Sequence, residues 1–166
     1  MTMQWRGFVS TLVATFLIGV WHGAVYAAGD VFERISLKGL KSVQVVVEDF
    51  APDLIKDGLN RERIKSTVEQ QLTQAGILVE PQAENALYIH LGSVKNETGV
   101  YSYALSLQLV QLVLLFRDPS LLTWGTTWSL DLVGSVAGAN VSDLEPLIGR
   151  GVNSFVADYQ AANQLS

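Results

Sequence analysis

Histidine chemistry in this chain has one place to occur. The sequence holds two histidines; His22 falls within an apolar N-terminal stretch, which leaves His90. His90 alternates with apolar neighbours in Leu87-Tyr88-Ile89-His90-Leu91, the pattern of a strand carrying Tyr88 and His90 on one side. A Ser-His-Asp hydrolase would need a serine held on a sharp strand-to-helix turn, and no Gly-x-Ser-x-Gly is present. One imidazole also falls short of a transition-metal site. His90 therefore reads as a structural or surface residue, and a hydrolase built around it ranks last among the functional alternatives.

Other groups carry weaker signals. Glu48, Asp49, Asp53 and Asp57 follow one another closely enough to hold calcium or to act as an acid/base pair. They lack the alternating ligands and turn glycine of a calcium loop and read as a solvated loop with helix-start acids, as do Glu80, Glu84 and Glu97. Gly134 and Gly138 lie between a strand and a helix, where phosphate loops sit, without the lysine or glycine spacing such loops need. Tyr101, Tyr103, Trp124 and Trp128 form an aromatic set that would suit a glycan or lipid patch, or a core packed beneath helices. Their alternation with small polar residues favours the core. Asn96-Glu97-Thr98 and Asn140-Val141-Ser142 fit the N-glycosylation pattern, which matters only in a host that glycosylates.

The elements that would position these residues are legible. Val43 to Glu48 is a β-branched strand, and Asp49-Phe50-Ala51-Pro52-Asp53 reads as a loop. A helix follows, capped by Asn60, stapled by Leu59 and Ile64, and closed by Gly76; Ile64, Val68, Leu72 and Ala75 line one side. Ile77 to Glu80 is a short strand, which makes a βαβ unit with the first. From Ala86 the period is two. One strand holds His90, and a turn at Lys95 to Gly99 leads to a second strand from Val100 to about Phe116. Arg117-Asp118-Pro119-Ser120 turns into a third, with Trp124, Thr126, Trp128, Leu130 and Leu132 expected on one face. Leu144, Leu147, Ile148, Val152, Phe155, Val156 and Tyr159 mark a last helix, whose Gly149 and Gly151 each cost about 1 kcal/mol relative to alanine. Gly29 to Leu40 is a lead-in with an edge strand expected near Phe32 to Leu37. The order β-α-β-β-β-β-α predicts an α+β two-layer sandwich: a mixed, largely antiparallel sheet of about five strands with two helices on one face.

Composition narrows the function. The 166 residues suit one domain, and 49% hydrophobic with 16% charged residues indicates a packed core. A net charge of −5 without a basic stripe excludes a nucleic-acid surface. With no cysteine there is no disulfide, thiol nucleophile, zinc–thiolate site or bacterial lipoprotein anchor. No cofactor is expected. Arg6, the apolar run Phe8 to Trp21 and the small residues Gly23 to Ala28 have the order of a secretory signal, with cleavage expected after Ala27 and no stable membrane span thereafter. A retained anchor is the alternative. The organisation expected is a signal over 1–27, a lead-in over 28–41 and a single domain over 42–163, located in the periplasm or secreted.

The leader, the β-branched strand, the helix ending in Gly76-Ile77, the Ala86-x-Tyr88-Ile89 strand, the Tyr101-x-Tyr103 hairpin and the closing Phe155-x-x-Asp158-Tyr159-x-x-x-Asn163 together carry a resemblance. The chain resembles a family of uncharacterised exported bacterial α/β proteins and, more distantly, is similar to the periplasmic domains of the TolB N-terminal, CsgG and PelC type. The resemblance implies a domain that binds other envelope proteins or self-associates; it transfers no catalytic residue. The function expected is thus a non-catalytic envelope binding or assembly module, with a glycan or lipid carrier as the alternative. The partner face is expected to carry Ser102, Ser106, Gln108, Thr127, Ser129 and Asp131.

Overall fold

A computed structural model describes residues 31–164; the expected signal over 1–27 lies outside the described residues. The elements run α1 (Val31–Ile35), β1 (Ser42–Val47), α2 (Pro52–Lys56), α3 (Arg61–Gln74), β2 (Leu78–Val79), β3 (Ala86–Lys95), β4 (Val100–Leu115) and β5 (Asp118–Ala137). A 3-10 segment (Gly138–Asp143) then leads into α4 (Leu144–Gln164). The sheet has five strands in the order β2-β1-β3-β4-β5. β1 pairs in parallel with β2 and β3, whereas β3, β4 and β5 are antiparallel. This is the mixed, largely antiparallel α+β sandwich expected from the element order.

Alternation along the strands decides which face is covered. Val43, Val45 and Val47 of β1, Leu87, Ile89 and Leu91 of β3, Leu105, Leu107 and Leu109 of β4, and Trp128, Leu130 and Leu132 of β5 are all buried. They meet Ile64, Val68 and Leu72 of α3 and Leu147, Ile148, Val152 and Phe155 of α4 in one continuous core. Each such aliphatic side chain is worth about 1.5–3 kcal/mol when withdrawn from water. Trp128 and Phe155 meet edge to face with centroids 5.0 Å apart. α4 can come this close because Gly151 has no side chain: a Cβ there would lie 3.0 Å from Leu107 Cδ2 and 3.2 Å from Leu130 Cδ2.

α3 begins and ends as its sequence dictates. The Asn60 side chain accepts from the Arg63 amide at 2.9 Å, and Gly76 adopts φ +82° beyond the last turn. The two long helices are tied together outside the core, where Arg63 Nε donates to Glu145 at 2.8 Å.

Two local expectations are corrected. The lead-in is not a strand at Phe32 to Leu37 but the helix α1, lying beside β5 and α4. Its backbone closes on itself through Ser36 N to Phe32 O at 3.2 Å, and Arg34 Nε reaches Asp158 at 2.9 Å. The loop after β1 contains the one-turn helix α2, which Pro52 can open because proline has no amide hydrogen to leave unpaired. Leu54 of α2 is fully buried, and that burial supplies the stability its short length lacks.

The remaining difference sits in β5. Gln108 pairs with Ser129 and Leu109 with Trp128, but Val110 pairs with Thr126, so Thr127 is an extra residue, a β-bulge. Side-chain parity reverses there. Trp124 and Thr126 therefore lie on the opposite face from Trp128, contrary to simple alternation.

Candidate functional site: the open face of the sheet

The uncovered face is built from the alternate residues. Glu48 follows β1 directly, and its amide donates to Ile89 O at 3.0 Å, which sets it beside β3. Both oxygens of its carboxylate are engaged: Tyr88 Oη donates to Oε1, and His90 Nδ1 pairs with Oε2. The hydrogen bond from Tyr88, followed by that from His90, holds the Glu48 carboxyl below the usual carboxylate range; the same contact pushes the Tyr88 phenol upward. Half-exposed His90 lies along the strand over Gly92, where an added Cβ would come within 3.4 Å of Nε2.

Across the strands, His90 stands opposite Ser106, and Ser106 opposite Asp131. Glu48, just beyond β1, and His90, Ser106 and Asp131 of β3, β4 and β5 thus form one row across the face. Ser106 Oγ accepts from Gln108 Nε2 at 3.1 Å, and Gln108 Oε1 accepts from Thr126 Oγ1 at 3.3 Å. Ser129 Oγ donates to Glu33 of α1 at 3.0 Å. Ser102 and Asp131 are exposed. With Gly92 and Ala104 between them, these residues make a surface that is polar at its centre, where Glu48, Tyr88 and His90, and Ser106, Gln108 and Thr126, hold one another; Val94 and Val133 stand exposed on the same face.

Five of the six residues expected on the partner face lie here: Ser102, Ser106, Gln108, Ser129 and Asp131. Thr127 does not. As the bulge residue it turns towards the helix side, where its hydroxyl donates to Gln111 Oε1 at 2.6 Å and Gln111 Nε2 donates to Asn85 at 3.2 Å. Thr126 takes its place on the open face. The sequence reading also missed the clamp of Glu48, Tyr88 and His90. Gln44, Val46 and Glu48 share the parity opposite to the buried Val43, Val45 and Val47 of β1, and that was the available signal.

The aromatic set is dispersed. Tyr101 and Trp128 are buried, Tyr103 packs against the core, and only Trp124 is exposed, on the other face. Tyr103 lies across Gly134, where a Cβ would sit 2.6 Å from its hydroxyl oxygen. Gly138 is likewise a packing glycine, a Cβ there lying 3.1 Å from Gly99 O.

The acidic residues after β1 separate too. Asp57 accepts from Lys95 Nζ at 2.7 Å and from Tyr101 Oη at 2.8 Å, which draws its carboxyl below the ordinary range. Among the described residues no group of histidines and carboxylates is placed to hold a metal ion. Asn96 spends its side-chain oxygen on its own turn, accepting from the Thr98 and Val100 amides.

The pairing of Glu48 with His90 resembles the carboxylate–imidazole half of a proton-transfer device. Ser106, however, is hydrogen-bonded to Gln108, and among the described residues no hydrogen bond joins it to His90. No protein-family model matches the chain, and no curated protein matches it. Among solved structures it is similar to a dodecamer of PelC from Paraburkholderia phytofirmans, with 15% identity, 84% of this chain and 95% of that chain covered, and a TM-score of 0.36. No helix among the described residues is long and apolar enough to cross a membrane, which says nothing about strands.

Proposed function

We propose that the chain is an exported, non-catalytic module of a bacterial envelope that binds a protein partner through the open sheet face. One observation carries this reading: a sheet with helices on one side presents an uncovered surface on the other, polar at its centre and braced there by its own hydrogen bonds. Antiparallel sheets commonly leave one face to water, but here the side chains are pre-ordered by hydrogen bonds among Glu48, Tyr88 and His90 and among Ser106, Gln108 and Thr126. Pre-ordered polar groups give up less conformational entropy when a partner docks. A carrier using the aromatic set is less well supported, because Tyr101 and Trp128 are spent on the core.

Ser106→Arg tests the reading. Its side chain projects from the open face at the centre of the row, so the variant should keep the wild-type melting temperature. The complex formed in envelope extracts, resolved by native sizing, should be lost. A variant that unfolds, or one that leaves the complex intact, contradicts the assignment of this face.

A further inference from the structure

The β4–β5 hairpin outruns the rest of the sheet. β3 begins at Ala86, opposite Val110, which itself pairs with Thr126, so residues 111–125 form an arm with no strand beside β4 and none beside β5. The arm is apolar on both faces. Leu112, Leu114, Leu122 and Trp124 project from the open side, at 46%, 61%, 60% and 58% exposure, with Leu121 on the other side and Phe116 wholly exposed at the turn. Such a cluster on a water-soluble surface marks an interaction site.

We infer that the arm is a self-association element that pairs with the arm of a second copy of this chain, a surface separate from the open face proposed above to meet a protein partner. The occupant must supply two things at once: cover for apolar side chains on both faces, and partners for backbone groups along both edges. A lipid phase supplies only the first, and each unpaired backbone group in hydrocarbon costs several kcal/mol. A flat protein surface covers one face and neither edge. A second arm extends the ladder from an edge and brings apolar side chains of matching spacing on both faces.

Charge and edge protection point the same way. Although the chain carries a net −5, the only charged residues from 108 to 130 are Arg117 and Asp118, side by side at the turn, so two arms meet without net repulsion. At the base of the arm the β5 edge is already occupied: Ser36 Oγ donates to Thr127 O at 2.9 Å, and Glu33 accepts from Ser129 Oγ. α1 thereby closes the edge beside the body, and the free stretch next to it is the arm.

The test uses protein purified from cells expressing the full-length chain, with molar mass followed by light scattering over a concentration series. Wild type should rise to a defined oligomer. Leu114→Asp combined with Leu122→Asp, and separately Trp124→Ser, should shift that rise to at least tenfold higher concentration while far-ultraviolet circular dichroism is preserved. Ser106→Arg should self-associate like wild type, which separates failure of the arm from failure of the open face. The inference is overturned by a wild type that stays monomeric at every concentration, or by arm variants that associate as wild type does. It is equally overturned by arm-dependent flotation of a monomer with phosphatidylethanolamine/phosphatidylglycerol vesicles, which would assign the arm to lipid.

Discussion

Trp124 and Trp128 are four residues apart on one strand, and simple alternation would give them the same environment. The bulge at Thr127 puts them on opposite faces, so truncating each should have very different consequences. Trp128 is fully buried, stacks edge-on against Phe155 and donates from Nε1 to Asp158 at 3.0 Å. Trp128→Ala removes all of this. Large-to-small changes of this kind cost about 3–5 kcal/mol. Asp158 keeps its contact with Arg34, so no carboxylate is orphaned and the total should stay near 4 kcal/mol. Trp124 is 58% exposed, and Trp124→Ala should cost about 1 kcal/mol or less. In urea unfolding followed by circular dichroism at low protein concentration, where association through the arm does not contribute, Trp128→Ala should lower the midpoint by roughly 2 M. Trp124→Ala should lower it by less than about 0.5 M. Equal shifts, or a larger one for Trp124→Ala, would refute the parity reversal and the face assignment built on it.

Two further predictions concern acid stability and processing. Because the carboxyls of Glu48 and Asp57 titrate lower in the fold than when unfolded, the stability they confer is present above the ordinary carboxylate range, about pH 4, and is lost as pH falls through their depressed values. Asp57→Asn should therefore flatten the melting temperature against pH below about 4; an unchanged acid limb would contradict this account. Mass spectrometry of the chain recovered from an envelope fraction should show loss of residues 1–27, and an intact N-terminus would contradict the processing step.

Most of the fold was legible because its determinants are local. The β-branched run Val43 to Val47, the Asn60 cap with Gly76 beyond the last turn, and the period-two segments each specify their element within a few residues. What escaped was non-local or too short to show periodicity. α1 depends on the distant partners Asp158 and Ser129, and α2 depends on the burial of Leu54. The bulge at Thr127 leaves no mark on composition: Thr126 and Thr127 are the same residue type, and only pairing with β4 decides which of them faces outward. The candidate site was half legible for the same reason. Parity named Ser102, Ser106, Gln108, Ser129 and Asp131, whereas the link from Glu48 to His90 crosses two strands distant in sequence and required the register of β1 against β3.

Photo-crosslinking in the producing cell shows whether the open face is where this protein meets its partner. A benzophenone amino acid placed at Ser106 or Asp131 samples the open face, and one at Ser66 or Gln70 samples the exposed side of α3. Discrete crosslinked products are expected from Ser106 and Asp131 and none from Ser66 and Gln70. Crosslinks from α3 alone, or none from the open face, would contradict it.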